Sequence, residues 1–149
     1  MTVFADSSAV VKLSADESGH QIVREVPAFY VSEFARVDVP TALWRKQRMG
    51  ELDLSDCSVL VAAFEDDYFA KTGRLVPAKI RSPEFDHAAR LVATHGLRAY
   101  DGMQLACALR ITSVDSACVT FAAFDGDLRQ AASREGFVLL PANVWLGPQ

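Results

Sequence analysis

The alternation of strand-length apolar runs with helix-forming segments is the feature that most constrains the fold of this chain. Strand-like runs are predicted at residues 2–5, 29–31, 75–76, 117–124 and 137–140. Strands that alternate with helices form right-handed βαβ units, whose strands lie parallel in one sheet. The run at 117–124 is almost continuously apolar, which is typical of a strand covered on both faces. The sequence therefore predicts an α/β fold in which helices sandwich a mostly parallel central sheet.

Capping residues and apolar spacing predict helices between these strands. One helix begins just after Asp6, and others are predicted at residues 17–26, 33–49, 55–72, 83–96, 100–111 and 127–135. We expect Ser7 or Ser8 to cap the first helix and Ser32 to cap the helix at 33–49. In the helix at 83–96, apolar residues at three- and four-residue spacing form the predicted buried stripe: Phe85, Ala88, Ala89 and Val92.

Composition favours one compact domain spanning residues 1–149. A chain of this length buries roughly 70% of the surface that its unfolded form exposes, enough for a core without disulfide bonds. Its three cysteines form no CxxC pair, and such an odd set of thiols is typical of a reduced, cytosolic protein. No signal peptide is recognisable, and no run approaches the roughly 18 apolar residues of a membrane span. We therefore expect a cytoplasmic protein with no membrane partner.

The net charge of −4 restricts how the chain could bind nucleic acid. Proteins that hold nucleic acid by neutralising its phosphates are usually basic. A nucleic-acid function here would need a local basic patch or bound cations. Candidate phosphate contacts are Arg45, Lys46 and Arg48, with Lys12 from the first helix. The alternative for the basic run is a solvated helix end that complements the helix dipole.

Four aspartates stand at positions where one edge of the predicted sheet could collect them. Asp6 directly follows the first strand, and Asp125 directly follows the run at 117–124. Asp101 opens an otherwise apolar helix, and Asp38 lies on the side of the helix at 33–49 that packs inward. Functional groups of parallel sheets gather beyond the carboxyl ends of the strands, near a topological switch point. The alternatives are helix caps for Asp6, Asp38 and Asp101, and a turn residue for Asp125.

Clustered carboxylates would repel one another unless a cation lay among them. Mg²⁺ or Mn²⁺ is the hard, oxygen-preferring ion that such a set selects. A carboxylate-held ion of this kind activates water for attack on a phosphodiester. The histidines, His20, His87 and His95, show no zinc-binding spacing. Asp125-Gly126-Asp127 is not an EF-hand, because the residues that follow do not supply the ligands and the glycine of that loop.

Four sequence blocks resemble the PIN-domain family, specifically its VapC-like toxins. The blocks are FADSSAVVKL, SEFARVDVPTALWRKQRMGEL, LRAYDGMQLACAL and VTFAAFDGDLRQAASREGF, and they span nearly the whole chain in the family's order. The resemblance implies a three-layer α/β/α fold and a Mg²⁺- or Mn²⁺-dependent endoribonuclease. It also implies a homodimer that is neutralised by a small antitoxin protein.

The resemblance assigns the acids of the metal site to Asp6, Asp38, Asp101 and Asp125. Ser7 matches a small hydroxyl residue whose side chain would orient a ligand or water. Asp127 is an alternative or additional ligand to Asp125, which is preferred because it follows the strand.

Two positions depart from the family pattern. Asp38 stands where the family usually has a longer glutamate, so it would reach the metal directly or through water. Gln104 stands where the family often has a histidine. These departures leave a second hypothesis open, a non-catalytic PIN-like binding module with a weakened metal site.

Overall fold

The computed structural model describes residues 2–143, and this part of the chain contains five strands and seven helices. The strands are β1 (Thr2–Ala5), β2 (Phe29–Ser32), β3 (Leu75–Ala78), β4 (Cys118–Ala122) and β5 (Val138–Leu140). The helices are α1 (Ser7–Ser14), α2 (His20–Arg24), α3 (Ala35–Arg48), α4 (Leu54–Tyr68), α5 (Ser82–His95), α6 (Ala99–Val114) and α7 (Gly126–Arg134). The predicted domain, residues 1–149, extends slightly beyond this described part. Within it, no helix is both long and apolar enough to cross a membrane.

The five strands form one sheet in the order β3-β2-β1-β4-β5, and every neighbouring pair is parallel. The chain winds from β1 outwards to β2 and β3, then returns to place β4 on the other side of β1. The strand order therefore reverses between β1 and β4, which is the topological switch point where such sheets bind ligands. The predicted α/β fold with a parallel sheet is confirmed.

Alternating side chains of β1 divide the core into two layers. Phe4 points to the face covered by α5, α6 and α7, where it stacks on Phe121 with ring centroids 5.4 Å apart. Val3 and Ala5 point to the opposite face, which α1 to α4 cover. Because successive residues of a strand face opposite sides of the sheet, both faces are buried. The molecule is a three-layer α/β/α sandwich, as predicted.

The predicted caps at Ser7, Ser8 and Ser32 are wrong. Asp6 caps α1, because its carboxylate accepts a hydrogen bond of 3.1 Å from the backbone N–H of Ala9. Ser32 is the last residue of β2, where it pairs with β3, and α3 begins three residues later without a side-chain cap. A long-range strand pairing thus overrides a local capping preference. The helix predicted at 17–26 begins only at His20, after Gly19 with a φ of +86°.

The predicted apolar stripe of α5 is only partly correct. Ala88 is buried, but the other inward positions are taken by Glu84 and Leu91, and Phe85 is 54% exposed. The remaining stripe residues border an open apolar groove of about 660 Å³ between α5, α6 and the turn before α3. Its lining is Phe34, Phe85, Ala88, Ala89, Val92, Ala99, Tyr100 and Met103.

Glu84 joins the start of α5 to α6 through a buried carboxylate. It accepts hydrogen bonds from the backbone N–H of Arg81 (2.8 Å) and from the Arg81 guanidinium (3.0 Å). The Nε of Arg110 on α6 lies 3.1 Å from the same carboxylate. The Arg81 hydrogen bonds, supported by the charge of Arg110, hold the pKa of Glu84 below its ordinary value of 4.5.

We predict that Glu84→Gln lowers the free energy of unfolding by about 1–3 kcal/mol at pH 7, because the arginines lose a charged acceptor. A depressed pKa means that this stabilisation is present above the ordinary pKa and is lost as the pH falls through the lowered one. Urea unfolding should therefore show the gap between wild type and variant narrowing as the pH falls below about 4.5. Glu65→Gln, on the exposed face of α4, is the matched control. An equal gap at all pH values would contradict the prediction.

Candidate active site

Four aspartates from four segments of the chain line one cavity at the carboxyl edge of the sheet. Asp6 follows β1 and Asp125 follows β4, the two strands that flank the switch point. Asp38 and Asp101 lie in the first turns of α3 and α6. The cavity measures about 290 Å³, and its lining is Asp6, Ser7, Ser8, Asp38, Arg98, Tyr100, Asp101, Gln104 and Asp125. The structure therefore brings together the four acids that the sequence singled out.

Asp6 is the most deeply buried of these acids, with only 5% of its surface exposed. Its carboxylate accepts hydrogen bonds from the Ser8 hydroxyl (2.7 Å) and from the backbone N–H of Ala9 (3.1 Å). Burial outweighs these hydrogen bonds, and with repulsion from Asp101 and Asp125 it raises the pKa of Asp6 to about 7. The ionised form of Asp6 is thus costly in the protein alone.

Asp101 and Asp125 share one arginine at the mouth of the cavity. The Arg98 guanidinium lies 3.9 Å from both carboxylates, and its side chain is 85% exposed. Burial and the charge of Asp125 raise the pKa of Asp101, and Arg98 only partly offsets them. Asp125 also caps α7 by accepting a hydrogen bond of 3.0 Å from the N–H of Leu128. A solvent-screened arginine leaves most of the repulsion between these acids in place.

Asp38 is tied to the other side of the cavity by a short chain of hydrogen bonds. The Ser7 hydroxyl donates to Asp38 Oδ2 over 3.1 Å, and Gln104 Nε2 donates to Ser7 Oγ over 3.2 Å. Burial raises the pKa of Asp38, and the Ser7 hydrogen bond opposes that shift. Asp38 and Gln104, the two departures from the family pattern, therefore lie at opposite ends of one hydrogen-bond chain, with Ser7 between them.

Asp127 does not line the cavity as the described residues define it. It is exposed on the first turn of α7, although its charge contributes to the raised pKa of Asp101. Sequence reasoning overlooked Arg98 and Tyr100, which line the cavity. Their positions three and one residues before Asp101, at the start of the same helix, are the signal that could have identified them.

The predicted basic contacts lie outside this cavity. Lys12 is buried, pairs with Glu17 at 3.1 Å and lies 4.3 Å from the centre of the Phe124 ring. Lys46 pairs with the same Glu17 and with Glu51. The remaining two, Arg45 and Arg48, are exposed. Contact between these four residues and RNA stays a prediction, and for the two lysines it would compete with existing ion pairs.

The donor chemistry of the cavity fits a hard divalent cation. Its acidic side chains supply only carboxylate oxygens, and burial, together with repulsion from the neighbouring acids, raises the pKa of both Asp6 and Asp101. A cation of two charges would relieve that repulsion. Among residues 2–143, however, no three aspartate, glutamate, histidine or cysteine side chains stand close enough to form a ready-made metal cluster. The acids share a cavity, but direct ligation would require side-chain adjustments.

Comparisons with known proteins agree with the sequence resemblance. No model of a known protein family matches the chain. Two curated proteins of Mycobacterium tuberculosis strains, ribonuclease VapC45 and ribonuclease VapC49, are each 29% identical to it. Each match covers 95% of this chain and 96% of the relative.

Solved structures share the fold. VapC20 of Mycobacterium tuberculosis, described as a toxin that cleaves the sarcin–ricin loop, superposes with a TM-score of 0.62 at 17% identity over 91% of this chain and 96% of its own. PAE2754 of Pyrobaculum aerophilum gives a TM-score of 0.59 at 17% identity over 95% of this chain and 90% of its own. The predicted PIN fold and the VapC-like resemblance are confirmed.

We predict that Asp101→Asn raises the free energy of unfolding of the metal-free protein by about 1 kcal/mol, as relief of charge repulsion at a functional site commonly does. The amide keeps the size of the side chain while it removes one of the mutually repelling charges. Thermal unfolding in the presence of a chelator measures the effect. Asp86→Asn, an exposed acid of α5, is the matched control for loss of one negative charge. A destabilised Asp101→Asn protein would contradict the prediction.

Proposed function

We propose that this chain, a VapC-like protein with the PIN-domain fold, is a metal-dependent endoribonuclease and the toxin of a toxin–antitoxin pair. Its curated relatives are named as ribonucleases, and their similarity extends over 95% of the chain. The observation that carries the proposal is the meeting of Asp6, Asp38, Asp101 and Asp125 in one cavity at the switch point of the sheet.

Mg²⁺ or Mn²⁺ is the proposed cofactor, held by Asp6, Asp101 and Asp125. When bound, such an ion lowers the pKa of a water molecule and stabilises charge on a phosphodiester. Asp38, which is shorter than the glutamate of the family pattern, would contribute directly or through water. The charge of Asp127 contributes to the raised pKa of Asp101, and Asp127 would serve as an additional acid. The role of the chain is to hold these oxygens on rigid strand ends and helix starts.

Arg98 lines the acid cavity and is well placed to meet the substrate. Its guanidinium lies at the cavity mouth beside two acids and is largely exposed. An arginine fork matches the geometry of a phosphate group. We assign to Arg98 the contact with a backbone phosphate next to the scissile bond. This local contact suits a chain whose net charge is negative and which cannot bind RNA through overall charge.

The proposal includes a homodimer and a small antitoxin protein, which the family resemblance implies, and the cytoplasmic location expected from the cysteines and the sequence pattern. Phe85 and Tyr100 expose more than half of their surface at the apolar groove beside the acid cavity. Exposed apolar surface of this kind is typical of protein–protein contacts. Tyr100 also lines the acid cavity, so a protein bound in the groove would lie at the edge of the site.

A non-catalytic binding module is the second candidate. The observation that favours it is that no three acids are gathered for direct ligation within residues 2–143. Calorimetric titration with Mn²⁺ distinguishes the two. Binding that is lost in Asp6→Asn supports the nuclease, whereas an absence of binding in the wild type favours the module.

Cleavage assays test the nuclease directly. The antitoxin-free protein is incubated with tRNA and with a sarcin–ricin loop hairpin, the element named for VapC20, in the presence of Mg²⁺, Mn²⁺ or a chelator. We expect cleavage only with metal, and a fall of about 100-fold or more in Asp6→Asn and Asp101→Asn, since each variant removes a carboxylate that would hold the metal ion. Asp86→Asn should cleave like the wild type. Cleavage that persists in the chelator, or in both site variants, would overturn the mechanism.

A further inference from the structure

Three helices meet through the hydrogen-bond chain from Gln104 to Ser7 to Asp38. Gln104 comes from α6, Ser7 from α1 and Asp38 from α3, and all three side chains line the acid cavity. Ser7 is separated from Asp38 by 31 positions and from Gln104 by 97. This hydrogen-bond chain is thus a tertiary contact, which neither the local sequence nor helix periodicity predicts.

The direction of each hydrogen bond follows from the chemistry of the groups. An ionised carboxylate only accepts hydrogen bonds, so the Ser7 hydroxyl must donate its one hydrogen to Asp38. Ser7 Oγ is then free to accept, and the Gln104 amide must turn its NH₂ group towards it. This orientation directs the amide oxygen away from Ser7.

The amide oxygen of Gln104 bears the cost of that orientation. Gln104 is 4% exposed, and its Oε1 is buried without a hydrogen-bond partner in the described part of the chain. An unpaired buried carbonyl oxygen destabilises the folded protein. A side chain selected only to fill this space would be apolar and would avoid that cost. Because Gln104 is present in spite of this unpaired oxygen, we infer that the hydrogen bond from its NH₂ group to Ser7 serves the site.

We propose that Gln104 is a positioning residue that fixes Asp38 in the acid cavity through Ser7. This inference rests on the proposed ribonuclease function, which it deepens. The Ser7 hydroxyl can rotate, and the Gln104 donor restricts it to the orientation in which it holds Asp38 Oδ2. Asp38 is one methylene shorter than the glutamate of the family pattern, so its reach tolerates less side-chain freedom. The two sequence departures thereby act as one unit.

Metal affinity is the readout that separates positioning from packing. Residues that orient metal ligands typically change metal affinity by about 10- to 100-fold when they are replaced. Gln104→Met keeps the length and apolar volume of the side chain but lacks the donor. We expect it to weaken Mn²⁺ binding about 10-fold in calorimetric titration without RNA. In cleavage assays, the same loss should be large at limiting Mn²⁺ and small at saturating Mn²⁺.

Two further variants and one control complete the experiment. Gln104→His keeps an N–H donor and should bind Mn²⁺ within a few-fold of the wild type. Ser7→Ala breaks the chain at its centre and should weaken binding as Gln104→Met does. The double variant should be little worse than either single one, because residues of one network are not additive. Gln130→Met, at an exposed position of α7, is the matched control.

The outcomes separate this inference from the proposed function. Wild-type protein that neither binds Mn²⁺ nor cleaves RNA overturns both. Wild-type protein that does both, with Gln104→Met of equal Mn²⁺ affinity, overturns the positioning role alone. Additive losses in the double variant also overturn it. Should Gln104→Met not fold, an unchanged Mn²⁺ affinity in Ser7→Ala overturns the positioning role in its place.

Discussion

The crowding of negative charge at the carboxyl ends of β1 and β4 is the constraint on which the candidate site depends. Asp6 is almost fully buried there, and the carboxylates of Asp101 on α6 and of Asp125 just before α7 add to the cost of its charge. The exposed Arg98 lies 3.9 Å from two of these acids, Asp101 and Asp125. If stability alone determined these positions, neutral side chains would replace the buried carboxylates. The fold instead keeps the acids together, which is the usual consequence of function at a site.

The helix starts explain how the fold tolerates this charge. Asp6 and Asp125 cap α1 and α7, while Asp38 and Asp101 lie in the first turns of α3 and α6. Each of these residues therefore lies near the positive end of a helix dipole. For Asp6, capping and membership of the acid cavity proved compatible, so these two interpretations of the sequence were not true alternatives. Asp125, for which the alternative was a turn residue, likewise caps a helix while it lines the cavity. The backbone N–H groups of Ala9 and Leu128, which donate to the capping carboxylates of Asp6 and Asp125, also hold these carboxylates at the cavity.

The sequence predicts the sheet and the meeting of the acids because both follow from general rules. Alternating strands and helices give a parallel sheet, and strand ends gather at its carboxyl edge. What it could not predict depends on contacts distant in the chain. Pairing of β2 with β3 extends through Ser32. Glu17 forms ion pairs with both Lys12 and Lys46. The partners of Ser7 likewise come from α3 and α6, and no local pattern indicates them.

The most direct test of the central claim is anomalous diffraction from crystals of the wild-type protein soaked in Mn²⁺. The claim predicts one or more strong manganese peaks inside the cavity, within ligand distance of Asp6, Asp101 and Asp125 oxygens, and none there in Asp101→Asn crystals. Manganese that is absent from this cavity at saturating concentration, or bound only at surface acids elsewhere, would contradict it.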